Sequence, residues 1–302
     1  MNINQLFRPF QTITRYDEPM SKHTYFRIGG PAEVFITPET NTQVLDIYRL
    51  CHEHQLPFYI LGNGSNLLVR DEGLKGVVIK INSQELQIKD DTITVGAGFS
   101  LAQLVSRTME SGLTGLELLA GIPGSVGGAI AMNAGGEYGN MGDVIQNVEA
   151  IKLLTYKDNS PDIQIIKRKQ LRFGYRNSNL KNKFIILSAQ LQLETSTQAQ
   201  VKAMFQEIMS EKHNAQPLAD KSAGCVFKNP PGHLTTGQMI EKAGLKGTKI
   251  GGAMVSTKHS NFIVNTNNAT AADVLKLIEL IKEKIDKQFE VELELEIEIW
   301  GD

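Results

Sequence analysis

Apolar residues recur along the chain with two periods, and the period assigns the element. Spacing of three to four marks helices. Val44, Leu45, Ile47, Tyr48 and Cys51 make one apolar stripe, with Asn41 or Thr42 able to cap its start. Leu101 to Met109 is amphipathic, and Ala199 to Ser210 turns Val201, Met204, Phe205 and Ile208 inward, before Gln216-Pro217 breaks the pattern. A short helix is expected over Gly237 to Leu245. The clearest helix opens at Thr270, in a capping box with Asp273, and carries Val274, Leu277, Ile278, Ile281 and Ile285 on one side. Alternation or a short apolar run marks strands at Glu33–Thr37, Phe58–Leu61, Val77–Ile81, Thr92–Val95, Val148–Leu154, Ile163–Ile166, Phe184–Leu193 and Phe262–Val264. Lys22–Ala32 reads as a strand entering a turn at Gly29-Gly30-Pro31. Val291–Trp300 alternates strictly and predicts a half-buried strand with four glutamates on one face.

Strands with helices unevenly interleaved predict an α+β fold, not a regular doubly wound sheet. Two glycine-rich stretches interrupt the pattern. Leu118–Gly136 contains Gly121, Gly124, Gly127, Gly128, Gly135 and Gly136, stiffened by Pro123 and carrying the Ser125 hydroxyl. Between the glycines, Val126, Ala129, Ile130 and Met132 predict a loop clamped on a core. Gly62-Asn63-Gly64-Ser65-Asn66 follows a predicted strand. Either stretch alone is also explained as a tight turn. Together they suggest backbone amides cradling a ligand with two or more phosphates, or a dinucleotide. Neither has the strand–GxGxxG–helix spacing of a Rossmann unit.

The 302 residues carry a formal net charge of -2, which gives no global field for nucleic acid or a membrane surface. Two cysteines are too few for a disulfide framework. Met1–Phe10 lacks a basic patch followed by an apolar run, and no apolar stretch is long enough for a bilayer, so a cytoplasmic location is expected. No His, Cys, Asp and Glu cluster has metal-ligand spacing. Cys51, on a helical stripe, reads as core filling. Cys225 sits in a polar setting, after Gly224 and before Lys228 and Asn229. Its thiol, with an ordinary pKa of about 8.5, could donate a proton at neutral pH. A Cys–His hydrolase using Cys225 and His259 is conceivable but has no local signature.

The chain resembles the UDP-N-acetylenolpyruvoylglucosamine reductase family, bacterial flavoenzymes of peptidoglycan precursor synthesis. The resemblance runs over nearly the whole chain. It is carried by Thr24–Gly30, Gly62–Leu68, Ala120–Ala129, Gly174–Ser178, Ser222–Pro230 and Gly251–Ala253, weak singly and specific in their joint order. It implies a two-lobed FAD-binding unit of the vanillyl-alcohol oxidase-like type at 1–195, with lobes of about 1–82 and 83–195. A carboxy-terminal α+β substrate-binding lobe at 196–302 sends its last strand back toward the flavin.

The same resemblance implies NADPH as reductant of non-covalent FAD. Hydride then passes from flavin N5 to the enolpyruvyl methylene of the UDP-linked sugar, and a protein proton completes the lactyl ether. Arg27, Gly62, Asn63, Gly64, Ser65, Asn66, Leu67, Gly121, Ile122, Pro123, Gly124, Ser125, Gly127, Gly128 and Ala129 match cofactor-binding positions. Arg176 and Glu296 match the residues that stabilise the enolate, and Cys225 stands where serine is the better-known proton donor. Tyr175, Lys228, Asn229 and His259 match substrate-binding positions. Leu295 replaces the proline usual before the glutamate, so Glu294, one strand pitch away, is the alternative. The segment after Arg176 is too short for the inserted tyrosine loop, which places the chain in the shorter subgroup, acting as a monomer. Two rival readings remain: an oxidase of the same flavin fold, and a nucleotide-binding module without turnover.

Overall fold

The computed structural model describes residues 3–154, 160–232 and 234–301. They form two compact units. The first holds Met1–Tyr16, Val34–Asn63 and Gly76–Glu211, and the second Asp17–Glu33, Gly64–Lys75 and Lys212–Asp302. This differs from a linear division at residue 195. Two short amino-terminal segments belong with the carboxy-terminal third because Phe26, Ile28 and Leu68 are built into its apolar core.

The first unit is organised on a five-stranded antiparallel sheet ordered Ile163–Lys167, Ile145–Lys152, Phe184–Gln192, Thr92–Gly96, Leu86–Lys89. Phe184–Gln192 lies at its centre and buries Ile185, Ile186, Leu187, Ala189 and Leu191. The helix Leu101–Glu110 turns Leu101, Leu104 and Val105 into this core, and Ser100 caps it by accepting the Gln103 N–H. A four-stranded sheet, ordered Thr14–Pro19, Pro31–Ile36, Leu74–Lys80, Phe58–Leu61, includes the parallel pair Phe58↔Val77. Against Val34, Ile36, Val77 and Ile79 packs the helix Asn41–Glu53, whose cap is Thr40, in a capping box with Gln43. Cys51 is 1% exposed within that cluster, and burial pushes its thiol up to about 12, so it is core material.

The second unit carries the three-stranded sheet Lys249–Ile250, Ala253–Val255, Ile263–Asn265 and the helix Ala271–Phe289. Thr270 and Asp273 close the expected capping box, and Val274, Leu277, Ile278, Ile281 and Ile285 are buried. Leu67–Val69 pairs in parallel with Glu298–Trp300.

Two expected strands are not formed as such. Lys22–Ile28 is a series of turns: Arg27 takes φ 57°, its N–H donates to Thr24 O, and Thr24 Oγ1 donates to Ile28 O. Local side-chain bonding has displaced the ladder. In Val291–Trp300 only Glu298–Trp300 is a strand. The alternation still governs burial, with Val291, Leu293 and Ile297 inside. The backbone of 294–296 is hydrogen-bonded to residues 226–228 instead of to a continuous neighbour.

Candidate active site

The two glycine stretches meet in the first unit. Gly62 follows the strand Phe58–Leu61, and a Cβ there would collide with Ser125 Oγ. That approach requires glycine. Ser125 caps the one-and-a-half-turn helix Val126–Ala131 by accepting the Gly128 N–H at 3.3 Å. The other amides of this turn face the protein: Val126 N–H donates to Phe99 O, Gly127 N–H to Ala97 O and Ala129 N–H to Ser125 O. A Cβ on Gly127 would lie 2.8 Å from Ala97 Cβ. Gly127 therefore answers to packing against Ala97. The turn before this helix has Gly121 at φ 73° and Gly124 at φ 151° flanking Ile122 and Pro123; its Ile122 N–H donates to Leu119 O, so the room it offers beside Gly62 and Asn63 comes from the two glycines. This cradle suits a phosphate-bearing cofactor: Gly62 brings no Cβ to the approach, and the Ser125 hydroxyl stands where the two loops meet.

Gly64, Ser65, Asn66 and Leu67 belong to the second unit. Gly64 takes φ 65°, and its carbonyl accepts from Tyr25 N–H. Arg27 is exposed, its Nη1 donating to Lys22 O at 3.0 Å. Asn66 Nδ2 donates to Glu296 O at 3.0 Å, and Glu298 N–H to Asn66 O at 2.9 Å. The asparagine of the first predicted cradle and the glutamate near the carboxy terminus are thus neighbours.

Cys225 lies on a short extended segment held from both sides. Toward one side, Cys225 bridges Phe262, Val226 N–H donates to Asn261 O, and the Asn261 side chain clamps Phe227 twice. Its Oδ1 accepts Phe227 N–H at 3.0 Å, and its Nδ2 donates to Phe227 O at 2.8 Å. Toward the other, Phe227 bridges Leu295, Lys228 N–H donates to Glu294 O, and Glu296 N–H donates to Val226 O at 2.8 Å. Cys225 and Glu296, both half-buried, therefore sit on one local scaffold.

Glu294 is different. Its side chain is 74% exposed and meets Lys228 Nζ at 2.9 Å. The hydrogen bond and charge of Lys228 hold the Glu294 carboxyl below the usual range. Asn229 is exposed; its Oδ1 accepts Thr236 N–H and fixes the start of the helix Thr236–Lys242. His259 packs edge-on against Phe262 at 4.9 Å. Burial pushes its pKa down, so the ring is neutral, and its Nδ1 is buried without a hydrogen-bond partner.

Arg176 belongs to the first unit, at the tip of the hairpin Phe173–Gly174/Asn177–Ser178. It takes φ 52°, a conformation that favours glycine, and its guanidinium stands 5.1 Å over the Tyr175 ring. Tyr175 is 54% exposed. Ser178 Oγ donates to Ala131 O, which ties the hairpin to the helix following Ser125. Asn133 bonds both sides of the turn region, Nδ2 to Gly174 O and Oδ1 from Gly142 N–H. Neither Asn133 nor Asn261 stands out in the sequence. Their signal is a lone amide beside an apolar run, which spacing alone does not separate from a surface residue.

Among the described residues, no three His, Cys, Asp or Glu side chains lie where they could hold a metal ion, and no helix is long and apolar enough to cross a membrane.

Comparison with known proteins adds three findings. Residues 32–155 match the family model of an FAD binding domain, and residues 216–300 match that of the UDP-N-acetylenolpyruvoylglucosamine reductase C-terminal domain. A UDP-N-acetylenolpyruvoylglucosamine reductase of Clostridium kluyveri is 40% identical over 290 residues, covering 95% of this chain and 93% of its own. One of Clostridium botulinum is 43% identical over 288 residues, covering 95% and 92%. The crystal structure of UDP-N-acetylenolpyruvylglucosamine reductase from Thermus caldophilus superposes with a TM-score of 0.80 at 37% identity, covering 94% of this chain and 97% of that one.

Proposed function

The chain belongs to the UDP-N-acetylenolpyruvoylglucosamine reductase family, and from that membership we propose that it reduces UDP-N-acetylglucosamine enolpyruvate to UDP-N-acetylmuramate with NADPH, a step of peptidoglycan precursor synthesis in the cytoplasm. It is an FAD-containing oxidoreductase. We assign FAD binding to the amino-terminal part, 1–195, and substrate binding to 196–302.

When bound, FAD carries hydride from NADPH to the enolpyruvyl carbon. The chain's own residues do the rest. Gly62, Asn63 and the turn 121–125 would hold the cofactor's pyrophosphate, and Gly64, Ser65, Asn66, Leu67 and Arg27 match further cofactor-binding positions of the family. Gly127 would contribute by keeping that turn close to Ala97, and Gly128 and Ala129 by their amide bonds to Ser125.

As hydride arrives at the methylene, negative charge moves to the adjacent carbon and the carboxylate. A guanidinium is always charged and meets a carboxylate with paired donors, which suits Arg176 to hold that charge. Cys225 then gives its thiol proton to the adjacent carbon, forming the C–H bond of the lactyl ether, and is reprotonated from solvent. Glu296 assists from the same scaffold. Lys228, Asn229, Tyr175 and His259 hold the rest of the substrate; Lys228 must exchange Glu294 for it. That exchange costs little, since an exposed ion pair is screened by solvent.

The observation that carries this reading is the backbone bond from Glu296 to Val226, which puts the acid and the thiol-bearing segment side by side. The test is an anaerobic visible spectrum. Bleaching of the flavin band by NADPH and its return on adding the enolpyruvyl sugar are expected. A band that NADPH cannot bleach, or one restored by air and not by the sugar, would replace this reading with that of an oxidase.

A further inference from the structure

Thr236 opens the helix Thr236–Lys242, yet its hydroxyl does not serve that helix. The capping is done one residue earlier. Thr235 Oγ1 accepts the Gln238 N–H at 3.3 Å, and Gln238 Oε1 accepts the Thr235 N–H at 3.0 Å, which closes a capping box. Thr236 is fully buried, and its Oγ1 donates to Lys228 O at 2.7 Å. Its N–H goes the same way, to Asn229 Oδ1 at 3.0 Å. Thr236 therefore grips two consecutive residues, both at substrate-binding positions.

The backbone of Lys228 is held on both sides. Its N–H donates to Glu294 O at 2.9 Å, and its carbonyl accepts the Thr236 hydroxyl. The ammonium, by contrast, meets the exposed Glu294 carboxylate, a partner it can exchange. The bond from Thr236 N–H also orients the Asn229 amide, with its acceptor end on the helix and its donor end the one suited to a phosphate oxygen.

The platform behind Thr236 is firm. Met239 and Ile240 of its helix share an apolar core with Val226 and Phe227. A Cβ on Gly237 would stand 3.6 Å from His259 Cε1 and 3.9 Å from Asn261 Cβ, ordinary contact distances. The helix start thus lies against the asparagine that clamps Phe227, one residue before Lys228.

We propose that Thr236 is a positioning residue for substrate binding: its buried hydroxyl fixes the Lys228 carbonyl, and with it the point from which the Lys228 ammonium leaves Glu294 for an anionic group of the substrate. This rests on the reductase reading, in which Lys228 and Asn229 hold substrate. With the enolpyruvyl carboxylate given to Arg176, the diphosphate is the anion left for Lys228. A side chain that swings from a fixed backbone loses less entropy on binding than one whose backbone must also be ordered. Binding of this kind is common to ground state and transition state, so its loss raises KM and leaves kcat.

The test uses the full-length, FAD-loaded protein as parent, Thr236→Val and Thr236→Ser. Valine keeps the branching and number of side-chain heavy atoms and removes the donor. It should raise KM for the UDP-enolpyruvyl sugar at least about threefold, the size of one buried hydrogen bond, with kcat changed about twofold at most. Serine keeps the hydroxyl and should hold KM within about twofold of the parent. A rise below about threefold for valine, or a serine variant as weak as the valine one, would overturn the proposal. In a Lys228→Ala background, Thr236→Val should add less than about threefold; a rise there as large as in the parent would mean that Thr236 acts elsewhere. The limiting rate of flavin reduction by NADPH should stay within about twofold, and a fall in that rate together with kcat would show a general loosening instead of a positioning role.

Calorimetry with UDP on the oxidised protein reads the same contact without turnover. A parent that turns over no sugar refutes the reductase reading. Weaker UDP binding by Thr236→Val would then leave the grip on Lys228 standing as a nucleotide-binding device, and unchanged UDP binding would remove it as well. Should Thr236→Val fail to fold, Thr236→Ala, which removes the same donor, is read in its place.

Discussion

The double clamp of Asn261 on Phe227 sets a measurable stability. Asn261 is 4% exposed and Phe227 1% exposed, so neither the side-chain amide nor the backbone it holds can turn to water. Asn261→Leu keeps the number and branching of side-chain heavy atoms and removes both bonds, the 3.0 Å acceptance from Phe227 N–H and the 2.8 Å donation to Phe227 O. Each buried backbone group left unmatched costs about 1–3 kcal/mol. Leucine recovers part of this, because no amide has to be desolvated. The expected net loss is about 2–4 kcal/mol, or roughly 3–6 °C in the unfolding midpoint. The assay is thermal and urea unfolding at one fixed FAD concentration, since bound cofactor stabilises by mass action. Asn261→Asp sharpens it. The aspartate can still accept from Phe227 N–H but can donate to Phe227 O only when protonated, so this variant should gain on the parent as pH falls. A leucine variant within about 1 kcal/mol of the parent would refute the argument that these two bonds hold the Cys225 segment in place.

Further expectations concern chemistry and acid. Cys225→Ala should leave flavin reduction by NADPH nearly intact and cripple reoxidation by the sugar, whereas Cys225→Ser should keep much of the activity; equal loss in both half-reactions counts against a proton donor. Glu296→Gln should cut kcat far more than Glu294→Gln, because Glu294 is exposed and paired with Lys228 while Glu296 adjoins Asn66 and Val226; the reverse order would move the catalytic assignment one pitch. The Asp273 carboxyl is held below its ordinary value of 3.8, first by the Thr270 backbone N–H and also by that of Gly252. A depressed folded-state pKa gives stability that is present above the ordinary value and lost as pH falls through the lower one. Asp273→Asn should therefore narrow the gap between neutral and acid stability in urea titrations from pH 7 down to about pH 2, and parallel curves for variant and parent would disprove it.

Much of the fold is legible in the sequence where the signals are local. Thr270, Asp273 and the stripe from Val274 to Ile285 are of this kind: cap, box and period all fall within one helix, and the structure has all three. Phe58–Leu61 is a strand as the apolar run predicts. The first amphipathic helix starts one residue before the expected caps, because Thr40 completes a box with Gln43 that Asn41 cannot. Elements whose partners are distant are less legible. The alternation of Val291–Trp300 predicts which side chains are buried but not that 294–296 would bond to 226–228, since period carries no information about the partner. The hairpin under Arg176 is only two residue pairs long, too short for any periodicity. The family motifs pick out Cys225, Arg176 and Glu296, yet the amides that hold their surroundings, Asn133 and Asn261, give no pattern to find.

The second unit is assembled from three stretches of chain, and this bears on when it can form. Asn265 Nδ2 bonds Phe26 O across 239 positions, and Asn66 reaches Glu296 across 230. During synthesis, Phe26, Ile28 and Leu68 emerge early and wait for nearly the whole protein before their core exists. Contacts so remote in sequence close slowly, and apolar side chains left waiting are where aggregation starts. The pair Leu67–Val69 with Glu298–Trp300 joins an early stretch of that unit to a late one and so acts as a fastener of the unit that bears Cys225. Removal of Glu298–Trp300 would leave Leu67–Val69 without that partner strand and Asn66 O without the Glu298 N–H.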